Sequence, residues 1–341
     1  MIYMLTKLFF SLPDWCLLWL SGRPQMTTTG DRKFDPAGQL FTVMALKQRI
    51  FELDHSKSVP ELREWWNSQL KPFEKPSLKD VAHRDFNIDV DQGSIRIREY
   101  TPRNTTDKAP AIVYLHGGGF TVFDIESCQG ICEYFAKQLG AKVYAVGYRL
   151  APEHPYPIPL EDCCAAFAYV MANADELGVD PARISIAGDS AGGNLSAALC
   201  LKRRDAGESL PKSQVMIYPF TDLTYSHPSI AELGEGHVVT KAHLKWFYSN
   251  YLPSDEMVKE PYVSPLFAPD HSGLPPAIII TAGFDLLRDE GAAYAQALQK
   301  AKVETKYKEF RSLGHGFMYA DATAAVRKAN LTICSLFREV L

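Results

Sequence analysis

The sequence predicts an α/β fold, a mostly parallel central sheet flanked by helices on both faces. The first observation behind this is a series of short apolar runs. They read AIVYLHG (111–117), KVYAVGY (142–148), RISIAG (183–188), QVMIYP (214–219), AIIITAG (277–283) and VETKYKEF (303–310). The second is that helical stretches of roughly 10–15 residues separate most of them, the alternation of repeated βαβ units. Such units lay strands parallel and leave their crossover helices on the two faces. Chemistry in these sheets gathers at the carboxyl ends of the strands.

Each part of the chain then finds a place. HRDFNIDV and SIRIREY flank Asp91-Gln92-Gly93 and read as a β-hairpin with a glycine turn. Two regions stand outside the alternation. Residues 1–80 are helical in pattern and carry Phe34, Phe41, Phe51, Trp65 and Trp66; residues 222–262 hold TKAHLKWFYSNYL, with Thr240 as its N-cap. Both are expected to form one helical cap over the carboxyl end of the sheet. Residues 81–221 and 263–341 then make the catalytic unit, with 222–262 as the cap insertion. The proline-dense loop APEHPYPIP (151–159) reads as a rigid connection.

Composition narrows the function. With 341 residues, 46% of them hydrophobic and 22% charged, the chain can bury a substantial core and belongs with globular proteins. Its formal net charge of −4 carries no basic excess, so nucleic acid is not an expected partner. The seven cysteines are scattered through apolar segments without a CxxC pair. They read as reduced thiols in a reducing compartment, and no metal site is expected. The opening MIYMLTKLFFSLPDWCLLWL is apolar, but Lys7 and Pro13-Asp14 interrupt it and no A-x-A-like cleavage site follows. It is expected to form two amphipathic segments covering something apolar. A cytoplasmic protein without a stable membrane span follows, and loose association with a membrane stays open.

The chemistry centres on RISIAGDSAGGNLSAALCL. Here a strand pattern becomes a helical one across Gly188, Asp189, Ser190, Ala191 and Gly192, the context of a nucleophile elbow. Small flanking residues let the chain turn sharply and expose the Ser190 hydroxyl, and the helix beginning near Ala191 brings free N–H groups and a positive dipole end. A serine needs a base to take its proton. Of nine histidines, His315 in LGHGF follows the last predicted strand with a glycine on each side; the other eight sit in the cap, the hairpin, loops or surface connections. The acid that orients the imidazole is best placed at Asp285, at the carboxyl end of the strand AIIITAGF. Asp289 is its rival, although its position beside Glu290 at a helix start is explained by the helix dipole. Finally HGGGF, His116-Gly117-Gly118-Gly119-Phe120, follows the strand AIVYL. Its glycines allow close approach to substrate, and the N–H groups of Gly117, Gly118 and Ala191 are the expected donors to an oxyanion. The loop has neither G-x-G-x-x-G nor Gly-Lys-Ser/Thr spacing, so it does not read as a nucleotide cradle.

Taken in order, HGGGF, YRLAPEHPYP, GDSAGG, SPLFA, LPPAIIITAGFDLLRDEG and HGF resemble the bacterial hormone-sensitive-lipase family of carboxylesterases over residues 111–317. GRP and FDPAGQ near the start look like that family's cap region. Asp189 before the serine, giving GDSAG, marks one of its two common subgroups. The resemblance implies an α/β-hydrolase fold with a helical cap and no cofactor. It implies hydrolysis of short- to medium-chain carboxylic esters by a Ser190–Asp285–His315 triad, with a small-molecule ester as partner. It also leaves room for a homodimer through an edge strand. One departure is visible: the family often has Asp-Pro-Leu where this chain has Asp285-Leu286-Leu287. A receptor on the same scaffold would have lost the histidine, and an amidase, lactonase or deacetylase would keep the triad.

Overall fold

Helices α1 (Ile2–Phe9) and α2 (Asp14–Ser21) open the chain in a computed structural model describing residues 2–70 and 77–341. Part of the expected cap, residues 71–76, thus lies outside the described residues, as does Met1. A two-stranded antiparallel ribbon, β1 (Thr27–Thr28) and β2 (Arg32–Lys33), leads to α3 (Pro36–Lys47) and α4 (Val59–Leu70). Then come β3 (Val81–Val90), β4 (Gly93–Pro102), β5 (Ala109–Leu115), α5 (Gln129–Leu139), β6 (Lys142–Gly147), α6 (Ile158–Ala172), β7 (Val179–Asp189) and α7 (Ala191–Asp205). The chain continues through β8 (Gln214–Ile217), α8 (Pro228–Leu233), α9 (Lys241–Tyr251), β9 (Ala277–Phe284), α10 (Arg288–Lys300), β10 (Thr305–Gly314) and α11 (Ala324–Arg338).

Eight strands form one sheet in the order β10-β9-β8-β7-β5-β6-β4-β3. The six from β10 to β6 are parallel, and the hairpin β3–β4 adds two antiparallel strands at one edge. In that hairpin Val90 pairs with Gly93, so Asp91 and Gln92 make the turn, and Gln92 carries the left-handed φ of 57°. All six apolar runs lie on strands.

Burial on both faces explains why the central strands are apolar throughout. From β5, Ala111, Val113 and Leu115 join a core with α6, α7 and α10, while Ile112 and Tyr114 point the other way toward α5 and α11. The N-terminal segment is sewn to the carboxyl end of this sheet. Phe34 stacks on Phe284 with ring centroids 4.5 Å apart, and the Asp35 N–H donates to the Ser312 carbonyl at 2.9 Å. Asp35 caps α3 by accepting the Gly38 N–H. Thr240 caps α9 through a capping box with His243. Trp66 of α4 packs edge-on against His243 and Phe247 of α9, joining the two non-alternating regions in one aromatic cluster. The expectation of two covering segments holds only partly. Phe10 and Leu17 are buried with Leu40, but Trp15 and Trp19 face solvent.

Candidate active site

Ser190 stands alone between β7 and α7 with φ 54° and ψ −118°. A non-glycine residue in this region is strained by about 1–3 kcal/mol, and the surroundings must hold it there. Three backbone bonds do so. The Ser190 N–H donates to Ile217 O at 2.9 Å, while its carbonyl accepts from the N–H groups of Asn194 (3.1 Å) and Phe220 (3.2 Å). The flanking glycines are required by close approach. A Cβ on Gly192 would lie 1.9 Å from Leu115 O, and one on Gly188 would lie 2.3 Å from Gly192 O. Asn194, which sequence reading passed over, donates its amide to Phe220 O (2.6 Å) and Val263 O (2.8 Å), pinning the loop after β8 to the first turn of α7.

Three residues far apart in sequence converge here. His315 Nε2 lies 3.0 Å from Ser190 Oγ, and its Nδ1 lies 2.8 Å from Asp285 Oδ2. A carboxylate accepts only, so Nδ1 carries the proton donated to Asp285 and Nε2 is left to accept from the serine hydroxyl. Asp285, buried just past β9, also accepts the Leu287 N–H at Oδ1 (2.9 Å), which closes the Asp-Leu-Leu turn without a proline. Burial pulls the His315 pKa down, but the charge and hydrogen bond of Asp285, helped by Asp189, outweigh it and leave the imidazole above its usual 6.5.

The glycine loop corrects one expectation. The Gly117 N–H is not available to an oxyanion, because it donates to Asp189 Oδ1 at 3.0 Å. Gly118 and Gly119 follow with φ of 112° and 58°, and both line the cavity beside Ser190. Among the described residues their N–H groups have no protein acceptor, nor does that of Ala191 at the first position of α7. The N–H groups left without a protein acceptor beside Ser190 are therefore those of Gly118, Gly119 and Ala191. Gly119 lies directly beneath the α9 ring of Phe247, 2.2 Å from where a Cβ would be.

Asp189 acts as a buried hub. Besides Gly117 it accepts from the Tyr114 hydroxyl (2.8 Å) and the Tyr319 hydroxyl (3.2 Å), and burial raises its pKa above the usual carboxylate range. Tyr319 follows His315 by four residues, so the hub joins the histidine loop, the elbow and the glycine loop. His116 lies behind this, stacked on Tyr148 at 4.3 Å and donating from Nδ1 to Gly117 O. From α4, Arg63 donates to Thr121 O (2.8 Å) and Ala151 O (3.1 Å), bracing the glycine loop and the proline-dense loop together. Neither tyrosine nor Arg63 carries a motif that singles it out in sequence.

The rival acid has a different task. Asp289 accepts the Ser229 N–H of α8 (2.9 Å), and the Ser229 hydroxyl donates to Leu286 O (2.7 Å). Arg288 bridges Asp289 and Glu232, and Glu232 in turn accepts from Thr28 and the Thr29 N–H. The turn bearing Asp285 is thus clamped to α8 and to the N-terminal ribbon. Helix dipole alone does not account for Glu290 either. It is fully buried and accepts the N–H groups of Thr221 (2.6 Å) and Asp222 (3.1 Å).

Ser190 and His315 open into a cavity of about 190 Å³. Rings and aliphatic chains dominate its walls, with Phe10, Phe34 and Trp66 from the N-terminal segment and Leu244 and Phe247 from α9. Such a chamber fits an uncharged apolar group placed next to a polarised serine.

Residues 112–319 match the alpha/beta hydrolase fold family. Esterase LipI of Mycobacterium tuberculosis is 34% identical over 310 residues, covering 90% of this chain and 95% of its own length. The chain belongs to the hormone-sensitive-lipase-like carboxylesterases. Carboxylic ester hydrolase LipN of the same organism is 41% identical over 240 residues, covering 69% of this chain and 64% of that protein. Among solved structures, a hyperthermophilic esterase from the archaeon Pyrobaculum calidifontis superposes with a TM-score of 0.81 at 37% identity, covering 87% of this chain and 96% of its own. The family's fold and the carboxylesterase activity of its members thus coincide with the serine-centred site.

Proposed function

We propose that this carboxylesterase hydrolyses short- to medium-chain esters, with Ser190 as nucleophile, His315 as base and acid, and Asp285 as the group that orients and charges the imidazole. The observation that carries this reading is the unbroken Asp285–His315–Ser190 hydrogen-bond chain at the floor of the apolar cavity. His315 takes the hydroxyl proton as Ser190 Oγ attacks the carbonyl carbon, and the carbonyl oxygen becomes an oxyanion held by Gly118, Gly119 and Ala191 N–H groups. Collapse expels the alcohol, which receives the proton from His315. Water then enters, gives its proton to His315 and releases the carboxylic acid, restoring Ser190. Each oxyanion donor supplies about 3 kcal/mol of transition-state stabilisation.

In this reading residues 1–80 and 222–262 act as the cap on a catalytic unit of residues 81–221 and 263–341, and Asp189 assigns the chain to the GDSAG subgroup. The free cysteines suit a reducing cytoplasm, and the hairpin edge offers a surface for a homodimer. A non-catalytic receptor is not favoured, since His315 is present and seated. The test is p-nitrophenyl ester hydrolysis from acetyl to palmitoyl, wild type beside Ser190→Ala. Turnover is expected to peak at short or medium chains and to vanish in the variant. A folded wild type without turnover on any chain length contradicts the reading.

A further inference from the structure

Helices α1 and α2 carry a surface that the ester hydrolysis reaction does not use. Trp15 and Trp19 are 72% and 77% exposed and Leu8 is 69% exposed, with Phe9, Leu12 and Leu20 beside them. Trp15 and Trp19 are four apart on α2, so they share one face. Elsewhere among the described residues exposed large apolar side chains occur singly or as the one pair Met44 and Leu46; here six fall within thirteen residues.

The surroundings of this patch indicate what covers it. Lys7 on α1, Arg23 two residues past α2 and Lys33 on β2 are exposed, and among the described residues none has a carboxylate partner. Residues 1–34 carry four basic side chains against two acidic ones in a chain whose net charge is −4. Tryptophan and leucine facing outward with uncommitted cations at the flanks is the chemistry of the boundary between lipid headgroups and acyl chains. Both helices have eight residues, and among the described residues no helix is long and apolar enough to cross a membrane. The segment can therefore lie on a bilayer but not span it. It also continues into the ester site, because Thr6 and Phe10 of the same segment line the cavity above Ser190.

We infer that the α1–α2 segment docks the enzyme on an anionic lipid bilayer, inserting Trp15, Trp19 and Leu8 at the headgroup boundary so that the mouth of the cavity faces the lipid phase. Apolar esters dissolved in that phase would reach the serine without crossing water. The docking itself stands on the exposed patch; only the delivery of esters rests on the proposed function.

Co-sedimentation tests this with phosphatidylcholine vesicles containing about one-third phosphatidylglycerol, against vesicles of phosphatidylcholine alone. Full-length wild type is expected to sediment with the anionic vesicles and to be released by high salt. The double variant Trp15→Ser/Trp19→Ser is expected to lose about tenfold or more of that partitioning. Its kcat/KM on dissolved p-nitrophenyl acetate should stay within about twofold of wild type. This soluble assay separates failure of docking from failure of the esterase reading. Equal sedimentation of both proteins overturns the inference, as does wild type that ignores both vesicle types. A wild-type dimer that becomes monomeric in the variant, without vesicle binding, also overturns it and assigns the face to a second copy of the chain.

Discussion

The elbow at Ser190 and the N-terminal pair α1–α2 are built on opposite terms. At the elbow the backbone and its glycines are dictated from inside the molecule. Ser190 is held by three backbone bonds, and neighbouring backbone leaves no room for a Cβ at Gly188 or Gly192. On α1–α2, Trp15 and Trp19 touch mainly water, so nothing inside the chain explains why they are tryptophan. Internal geometry thus determines the first region and leaves the second to be explained by something outside the protein. The acid turn lies between these extremes, with Asp285 fixed by His315 and its support supplied by α8 and the N-terminal ribbon.

Substitutions can break this contrast, beginning at its most constrained end. Asp285→Asn keeps the shape but loses the charge that selects the imidazole tautomer, and kcat should fall on the order of 10⁴-fold. The pH profile gives a second readout. His315 must be neutral to act, and Asp285 raises its pKa, so activity is lost as pH falls through a value above 6.5. Without the carboxylate that acid limb should move to lower pH, and a limb that stays in place would remove Asp285 from the role. Next, Gly119→Ala drives a methyl into the Phe247 ring and tilts a donor away from the oxyanion, at a cost of about 10²–10³ in kcat. Adding Phe247→Ala should restore part of that loss, a coupling that a double-mutant cycle measures directly. Gly117→Ala does not probe a donor, because its N–H is already spent on Asp189.

Smaller effects mark the supports. Asp189→Asn weakens acceptance from Gly117, Tyr114 and Tyr319 together, and a drop of roughly tenfold in kcat with little change in KM is expected. Ser229→Ala removes the hydroxyl that holds Leu286 O, and should lower kcat only a few-fold while reducing Tm by roughly 2–4 °C. If Ser229→Ala matches Asp285→Asn in its effect on kcat, the acid turn depends on α8 far more than its own bond to Leu287 implies.

The same contrast explains what could be read from sequence. The parallel sheet was legible because two-sided burial writes continuous apolar runs such as AIVYL and AIIIT. Ser190, Asp285 and His315 stood out because each follows a strand, Ser190 and His315 with small residues around them as well. The donor assignment went wrong at Gly117, where spacing along HGGGF shows three glycines but not which N–H turns toward Asp189. Tyr114, Tyr319, Arg63 and Asn194 were invisible for a related reason. Their partners lie dozens of residues away, and their types are ordinary for a core strand or a helix. Asp289 does stand in the first turn of α10, as its position beside Glu290 implied, but its bond to Ser229 could not be read because it exists only once α8 is folded against the acid turn.

The most direct test is to find which side chain attacks as the nucleophile. The protein is treated with diethyl p-nitrophenyl phosphate, which phosphorylates an activated serine and expels p-nitrophenol, and the adduct is mapped by peptide mass spectrometry. One stoichiometric adduct on Ser190, abolished in Ser190→Ala and strongly slowed in Asp285→Asn, is the predicted result. An adduct on another residue, or a Ser190→Ala protein that still hydrolyses esters at the wild-type rate, would contradict it.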